Sequence, residues 1–172
     1  MTSDPDWSQV RAIVMDIDGT LTDGGIVIND AGEESKRYDV RDGFGLSLWH
    51  RAGGRTGVVT GRRGLALTHR MRELAITEVE QGACDKVAAL DRILSRMGVV
   101  RRACLFVGDD IPDLAVMRCA GISVAVADAA PEIRAAADFV TIARGGCGAI
   151  REVVEQVLRA QGAWDALISR SA

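Results

Sequence analysis

Short apolar runs alternate with longer segments of helical periodicity along most of this sequence. The runs are rich in Val and Ile, as buried strands are, and they occupy residues 12–15, 56–60, 104–107 and 122–126. Helices are predicted at residues 44–51, 64–74, 86–97, 112–118 and 131–136. Strands that alternate with helices form a parallel sheet covered on both faces. The pattern therefore predicts an α/β fold, a Rossmann-like three-layer sandwich around a central parallel sheet.

One segment interrupts this alternation directly after the first strand. Residues 26–28 are apolar, residues 29–33 are typical of a turn, and residues 35–40 have the pattern of a more polar strand. Together they predict a β-hairpin within residues 22–40. The chain between Thr20 and Thr60 is too short to hold a cap domain as well.

The whole chain, residues 1–172, is predicted to be a single domain, because its length is that of one ordinary domain. Residues 1–9 form an N-terminal extension. Residues 145–172 form a C-terminal helix and tail, because apolar side chains recur there at helical spacing at Ile150, Val153, Val154, Val157 and Leu158.

Composition excludes several classes of function. The 21 basic and 24 acidic side chains give a formal charge of -3, so bulk charge indicates no nucleic-acid or anionic-membrane partner. No apolar run approaches the ~20 residues of a membrane span, and the first residues lack the pattern of a secretory signal. The four cysteines form no CxxC pair, which indicates reduced thiols and argues against a zinc-thiolate site. We therefore expect a cytoplasmic protein.

Acidic side chains follow two of the predicted strands. Asp16 and Asp18 come after the first strand, and Asp109, Asp110 and Asp113 come after the third. In an open parallel sheet, ligands bind at the carboxyl ends of the strands, where these five carboxylates would repel one another without a cation. Magnesium prefers oxygen ligands and commonly binds carboxylates together with a substrate phosphate. The pattern therefore predicts Mg²⁺ as cofactor and a phosphorylated ligand.

Three further residues extend this predicted site. Thr60 and Gly61 lie between a strand and a helix, where a hydroxyl and backbone amides can bind a phosphate. Lys86 is one of only two lysines, and it begins a helix, where the helix dipole disfavours a cation. Its compact ammonium suits a phosphoryl oxygen. Taken singly, each residue also has an ordinary interpretation, since aspartates cap turns, Thr-Gly pairs form turns and most lysines are exposed.

These residues form four motifs in a fixed order along the chain: Asp16-Ile17-Asp18-Gly19-Thr20, Thr60-Gly61, Lys86, and Gly108-Asp109-Asp110 with Asp113. The set resembles the motifs of the haloacid dehalogenase superfamily of phosphatases. The short hairpin and the absence of a cap are similar to its capless branch, over residues 10–164. Within that branch the sequence most resembles the phosphatases of 3-deoxy-D-manno-octulosonate 8-phosphate, which serve lipopolysaccharide biosynthesis.

The resemblance implies a role for each motif residue. Asp16 would be the nucleophile that becomes an aspartyl phosphate, and Asp18 would be the general acid and base. The remaining roles are phosphate binding by Thr60, Gly61 and Lys86; Mg²⁺ binding by Asp16, Asp109 and the backbone carbonyl of Ile17 or Asp18; support of these groups by Asp110 and by Asp113, which would orient Lys86 or metal-bound water; and substrate contact by Arg62, Arg41 and Asp42.

The resemblance also implies a homotetramer in which the hairpin and tail of one subunit cover the site of its neighbour. The apolar strand Ile26-Val27-Ile28 agrees with this arrangement, since an exposed apolar edge needs a cover. Packing of that strand on its own domain is the alternative.

Several alternatives remain at this point. Arg62 favours an octulosonate substrate, because the related nononate 9-phosphate phosphatases tend to carry glutamate there. Cys147, however, stands where octulosonate enzymes usually have arginine. A phospho-acceptor signalling domain and a non-catalytic assembly domain are the other functional classes. His50 and His69 lie in predicted helices outside any motif, so we expect both to be structural or exposed.

Overall fold

A parallel sheet forms the centre of the protein. The computed structural model describes residues 5–169. In chain order its strands are β1 (Ala12–Met15), β2 (Val27–Ile28), β3 (Glu34–Ser35), β4 (Arg55–Thr60), β5 (Glu78–Gln81), β6 (Cys104–Gly108), β7 (Ile122–Ala125) and β8 (Phe139–Val140). Six of them form one sheet in the order β5-β4-β1-β6-β7-β8, and every pairing in it is parallel. Strand β1 therefore lies between β4 and β6, and its four side chains are completely buried.

Helices cover both faces of this sheet. They are α1 (Val40–Arg51), α2 (Leu65–Glu73), α3 (Lys86–Met97), α4 (Leu114–Met117), α5 (Pro131–Ala136), α6 (Ala149–Ala160) and α7 (Trp164–Ser169). Helix α1 packs on α6, and α3 packs on α4. From β1 the chain moves to β4 and then to β5 at one edge of the sheet, and it next crosses to β6, β7 and β8 on the other side of β1. Crossovers between parallel strands are right-handed. The reversal of direction therefore places the α1–α6 pair and the α3–α4 pair on opposite faces of the sheet. The predicted three-layer sandwich is confirmed.

Local signals fix the ends of the helices. The Asp85 carboxylate accepts hydrogen bonds from the Val87 and Ala88 amides at the start of α3, and Gly98 ends that helix in the left-handed conformation (φ 64°). Helix α3 accordingly has the predicted bounds. Helix α1 begins at Val40 instead of residue 44, because Asp39 caps it by accepting a hydrogen bond from the Arg41 amide.

The hairpin is shorter than predicted. Its strands β2 and β3 have two residues each, paired antiparallel, and a single bridge joins Thr22 to Tyr38 nearer its base. The prediction of a continuous strand over residues 35–40 is wrong, because the chain turns into α1 at Val40.

Strands β5 and β8 had no counterpart in the sequence prediction. Strand β5 is the edge strand beside β4, and two of its residues, Glu78 and Glu80, form ion pairs with Arg96 and Arg92 of α3. It therefore lacks the apolar run by which the buried strands were recognised.

Both ends of the part of the chain that the structure describes pack on the domain. Trp7 of the predicted N-terminal extension is buried and meets the Phe139 ring edge-on, with the ring centroids 5.2 Å apart. In the predicted tail, α6 ends at Ala160 and a separate helix, α7, follows it. Residues 1–4 of the extension and 170–172 of the tail lie outside the described residues. Among the described helices, none has both the length and the apolar character that crossing a membrane requires.

Candidate active site

A cavity of about 270 Å³ lies at the carboxyl ends of β1, β4 and β6. These strands are neighbours in the sheet, so the residues that follow them meet even though they are far apart in sequence. The lining residues are Asp16, Asp18, Thr60, Gly61, Arg62, Lys86, Asp109, Asp110, Pro112 and Asp113. Apart from Pro112, all are residues that the sequence predicted for the site.

Three carboxylates form the floor of this cavity around one lysine. Asp16, Asp109 and Asp113 each offer one oxygen, and these oxygens lie within 4.8 Å of one another. Lys86 Nζ lies 3.1 Å from Asp16 Oδ1 and donates a hydrogen bond of 2.7 Å to Asp113 Oδ1. The Lys86 side chain is only 9% exposed, so water screens these ion pairs weakly. Of the two roles expected for Asp113, orienting Lys86 or metal-bound water, this hydrogen bond corresponds to the first.

The environment changes the pKa values of these groups. The pKa of Asp16 is raised to about 6, first by burial and then by the Asp113 charge, whereas Lys86 opposes the change. Burial also raises the pKa of Asp109 to about 7, with added repulsion from Asp16 and Asp113. Burial lowers the pKa of Lys86, but the charges of Asp16 and Asp113 outweigh it and the net pKa is raised. A cation bound here would compete with protons and bind more tightly as pH rises.

The floor of the cavity fits a divalent cation such as Mg²⁺. Asp16 Oδ1 is buried and, within residues 5–169, accepts no hydrogen bond of regular geometry, although Lys86 lies nearby. A buried anionic oxygen in this state is costly unless something binds it. Asp109 and Asp113 add further oxygen donors of the type that magnesium prefers. Asp16 and Asp109 are the predicted metal ligands that belong to this group.

Residues next to the aspartates hold Asp109 in place. Thr20 Oγ1 donates a hydrogen bond of 3.1 Å to Asp109 Oδ1. Gly19 has a positive φ of 94°, and a Cβ atom at this position would lie 2.1 Å from Asp109 Oδ2. Only glycine therefore allows the loop after β1 to pass so close to this carboxylate.

The turn after β4 faces the same cavity. Thr60 Oγ1 accepts a hydrogen bond of 3.2 Å from the Arg62 amide, which is the ordinary turn contact that the sequence also allowed. Across the cavity, the Asp110 carboxylate accepts a hydrogen bond from the Ile111 amide and caps a short 3-10 turn. Both residues combine a turn contact with a place on the cavity wall.

A second group of charges lies on the hairpin side of the cavity. We call Asp18, Glu34, Lys36 and Arg62 the hairpin charge cluster. Lys36 Nζ donates to Asp18 Oδ1 and lies 2.8 Å from Glu34 Oε1. Arg62 Nη2 donates to Glu34 Oε2, and Arg62 Nε lies 3.7 Å from Asp18 Oδ2. Positive and negative groups therefore alternate around a closed ring. The Asp18 carboxylate belongs to this ring and is not part of the three-carboxylate group, which leaves only a backbone carbonyl of the Asp18 segment for the predicted metal contact.

Two predicted substrate residues are not brought to the cavity. The Asp42 side chain is completely buried and accepts hydrogen bonds from the Gly148 and Arg151 amides at the start of α6. Arg41 pairs with Asp39 and donates to the Cys147 carbonyl oxygen. In this chain both residues connect α1 to the segment before α6.

The two histidines lie elsewhere, as the sequence suggested. His50 is half-buried and lies 2.7 Å from Thr56 Oγ1, beside a cavity of about 550 Å³ at the amino end of β4. His69 is exposed on α2.

Comparison with known proteins identifies the family. The family described as haloacid dehalogenase-like hydrolase matches residues 72–145. The 3-deoxy-D-manno-octulosonate 8-phosphate phosphatase of Escherichia coli (strain K12) is 39% identical over 156 residues, which cover 91% of this chain and 83% of that protein. The chain belongs to the haloacid dehalogenase superfamily of hydrolases.

Solved structures of haloacid dehalogenase hydrolases agree with this assignment. The 3-deoxy-D-manno-octulosonate 8-phosphate phosphatase of Moraxella catarrhalis, in complex with magnesium, phosphate and KDO, has a TM-score of 0.94 and 36% identity, covering 97% of this chain and 96% of that one. The Yersinia pestis phosphatase of the same name has a TM-score of 0.91 and 37% identity, covering 93% of this chain and 86% of that one.

In this haloacid dehalogenase hydrolase, no cap domain lies between Thr20 and Thr60. Residues 20–60 hold the hairpin, α1 and β4. The base of the hairpin contacts the chain's own cavity, because Lys36 and Glu34 belong to the hairpin charge cluster.

Three residues beside the site of this haloacid dehalogenase hydrolase were given no role from the sequence. Thr20 belongs to the first motif, which was a sufficient signal. Lys36 is the second of only two lysines, and that scarcity could have indicated a specific contact. Glu34 carries no local signal, since its role depends on how the hairpin folds back.

Proposed function

We propose that the enzyme is a magnesium-dependent phosphatase that hydrolyses 3-deoxy-D-manno-octulosonate 8-phosphate through an aspartyl-phosphate intermediate. The observation that carries the proposal is the contact of Lys86 with both Asp16 and Asp113 in a cavity that Asp18 also lines. The cavity therefore contains the Asp16 carboxylate beside the Lys86 ammonium, and a second carboxylate, Asp18, that can exchange protons. Relatives named for this activity support the same substrate.

In the first half-reaction a carboxylate oxygen of Asp16 attacks phosphorus. The bond between phosphorus and the sugar oxygen breaks, and that oxygen takes a proton from Asp18. In the second half-reaction Asp18 takes a proton from water, whose oxygen attacks phosphorus. Phosphate leaves and the Asp16 carboxylate is restored. Each half-reaction thus uses Asp18 once, first as acid and then as base.

The surrounding residues position the phosphoryl group and balance its charge. The Thr60 hydroxyl, the Gly61 amide and the Lys86 ammonium bind its oxygens, because phosphoryl transfer depends chiefly on positioning and charge stabilisation. Asp16 and Asp109 would hold Mg²⁺, with Asp113 beside them, and the ion would supply positive charge that offsets the charge of the phosphoryl oxygens. Asp110 supports this side of the cavity through its turn.

Arg62 is the proposed partner of the substrate's carboxylate. Its guanidinium lines the cavity and is about two-fifths exposed, with a side-chain exposure of 43%. A guanidinium can bind a carboxylate through two parallel hydrogen bonds. Hydrolysis would release octulosonate for lipopolysaccharide synthesis. A nononate 9-phosphate is the alternative substrate, because Cys147 leaves the tail without the arginine expected of octulosonate enzymes.

A phosphate-release assay tests the function. With Mg²⁺, we expect kcat/KM for octulosonate 8-phosphate to exceed that for a nononate 9-phosphate by about tenfold or more, because the extra carbon of the nononate prevents its phosphate and its carboxylate from meeting Lys86 and Arg62 together and so costs one charged contact. Glucose 6-phosphate, which has no carboxylate, is expected to be poorer still. Chelation should remove the activity and added Mg²⁺ should restore it. A folded protein that releases phosphate from none of these compounds would contradict the proposal.

The enzyme is further proposed to form a homotetramer in which the hairpin and tail cover a neighbouring site. Ile26, Val27 and Ile28 are 54%, 63% and 60% exposed on a two-stranded hairpin. Such a hairpin is marginally stable alone, and its apolar side chains gain by burial against another copy.

Replacing Ile26, Val27 and Ile28 by serine tests the assembly. Light scattering during gel filtration should find a tetramer for the wild type and smaller species for the variant, because the buried apolar area is lost. Val100→Ser is the matched control, since Val100 is 56% exposed outside the hairpin. A variant that stays tetrameric would show that the hairpin does not hold the assembly together.

A further inference from the structure

The buried ammonium of Lys36 has a specific position in the hairpin charge cluster. Its side chain is 4% exposed, and it bridges Asp18 and Glu34. Lysine is almost never so buried unless it is paired, because its charge loses hydration. Within the described residues 5–169, the other lysine, Lys86, is also buried between two carboxylates. Arginine provides the other cations of the chain.

We propose that Lys36 is a positioning residue for Asp18 in the reaction, a role that rests on the function proposed above. Lys36 holds Asp18 through Oδ1. In the part of the chain that the structure describes, the other carboxylate oxygen, Oδ2, accepts no hydrogen bond and has Arg62 Nε 3.7 Å away. One oxygen is therefore fixed, and the other is left to exchange a proton with the sugar oxygen or with water.

Glu34 keeps Lys36 in this position. Its Oε1 lies 2.8 Å from Lys36 Nζ, and its Oε2 accepts a hydrogen bond from Arg62. Lys36 thus has an anchor on each side, one in the loop after β1 and one on the hairpin. Because χ rotations of Asp18 would break the bridge, the ring restricts that carboxylate to one orientation.

Changing the leaving group of the phosphate ester distinguishes a positioning role of Lys36 from a merely structural one. A sugar alkoxide needs a proton from Asp18 as it departs, whereas p-nitrophenolate departs without one. The parameter kcat/KM reports the transfer of the phosphoryl group to Asp16 and no later step. A residue that positions Asp18 should therefore matter for the sugar phosphate and hardly matter for p-nitrophenyl phosphate.

Lys36→Met keeps the length and apolar stem of the side chain and removes the ammonium. We expect kcat/KM for octulosonate 8-phosphate to fall about 10- to 100-fold, as part of the general-acid contribution. For p-nitrophenyl phosphate we expect a change of less than about threefold. Lys36→Arg, which keeps a donor to Asp18, should recover part of the loss. Arg37→Met is the matched control, because Arg37 is the adjacent cation and pairs with Asp23 on the exposed surface.

A double variant provides the second readout. If Lys36 acts through Asp18, Lys36→Met should cause no further loss in an Asp18→Asn background. Glu34→Gln leaves Lys36 present but weakens its anchor, so it should cause a smaller loss with the same dependence on the leaving group. If Lys36→Met does not fold, Glu34→Gln is compared on the two phosphate esters in its place.

Two results would overturn the role of Lys36: equal losses with both phosphate esters, or independent effects of Lys36→Met and Asp18→Asn. Failure of the proposed function is a separate result. If the wild type does not hydrolyse octulosonate 8-phosphate, the comparison uses the alkyl phosphate that it hydrolyses fastest, and Lys36 is judged on that ester.

Discussion

Asp16→Asn is expected to lower kcat by on the order of 10⁴-fold or more, because the amide cannot act as the nucleophile and the remaining groups then have no acceptor for the phosphoryl group. The loss should appear with every phosphate ester, including p-nitrophenyl phosphate, because each of them must transfer its phosphoryl group to Asp16. Steady-state phosphate release measures it.

Unfolding is not expected to explain this loss. Burial and the neighbouring Asp113 disfavour the charge of Asp16, so a neutral amide removes an unfavourable buried charge in the metal-free protein. The melting temperature without metal should therefore be equal to or higher than that of the wild type. The rise in melting temperature on adding Mg²⁺ should shrink, since a ligand stabilises only in proportion to its binding. Asp30→Asn, on the exposed turn of the hairpin, is the control. Substantial turnover by intact Asp16→Asn would exclude Asp16 as nucleophile.

Lys86→Met is expected to lower kcat by about 10²- to 10³-fold, because it removes a buried charge that stabilises the phosphoryl oxygens in the transition state. Lys86 also lowers the pKa of Asp16, so its loss should move the acid limb of the pH-rate profile to higher pH. The Asp113 carboxylate would lose a hydrogen bond of 2.7 Å. We expect unfolding in urea to show a stability loss of about 3 kcal/mol.

Lys86→Arg separates charge from shape. The guanidinium keeps the charge but is larger than the ammonium, and the side chain of Lys86 is only 9% exposed. Turnover should remain severely reduced. Arg92→Met, which removes an exposed cation from the same helix, should have nearly normal activity. Near-normal turnover by Lys86→Arg would refute the proposed contact between Lys86 and the phosphoryl group.

The helices and strands that could be predicted best are those whose ends are marked by particular residues in the sequence. Helix α3 has a capping aspartate and a terminal glycine, and its predicted bounds agree with the structure. Strand β5 could not be found in this way, because Glu78 and Glu80 pair with arginines of α3 and leave no apolar run. Strand β8 has only two residues, which is too short for a periodic pattern.

Some features of the candidate site could likewise be predicted from the sequence, and others could not. The residues at the strand ends could be predicted because the carboxyl ends of β1, β4 and β6 must meet in a parallel sheet. The partners of the Asp18 carboxylate could not, since Lys36 and Glu34 reach it only through the path of the hairpin. The place of Asp42 could not be predicted either, because the hydrogen bond that its carboxylate accepts from the Arg151 amide depends on how α6 packs on α1.

The charged edge of the sheet at β5 has a consequence for how copies of the enzyme can associate. An unpaired strand edge invites another molecule to add a strand, and repeated addition leads to open-ended growth. Glu78 and Glu80, held by Arg96 and Arg92, make this edge strand polar and charged on the face that α3 covers. A strand added at this edge would lie beside these charged side chains and would have to displace part of the water around them. Addition of a strand at β5 is therefore disfavoured, and the assembly proposed above uses the hairpin instead.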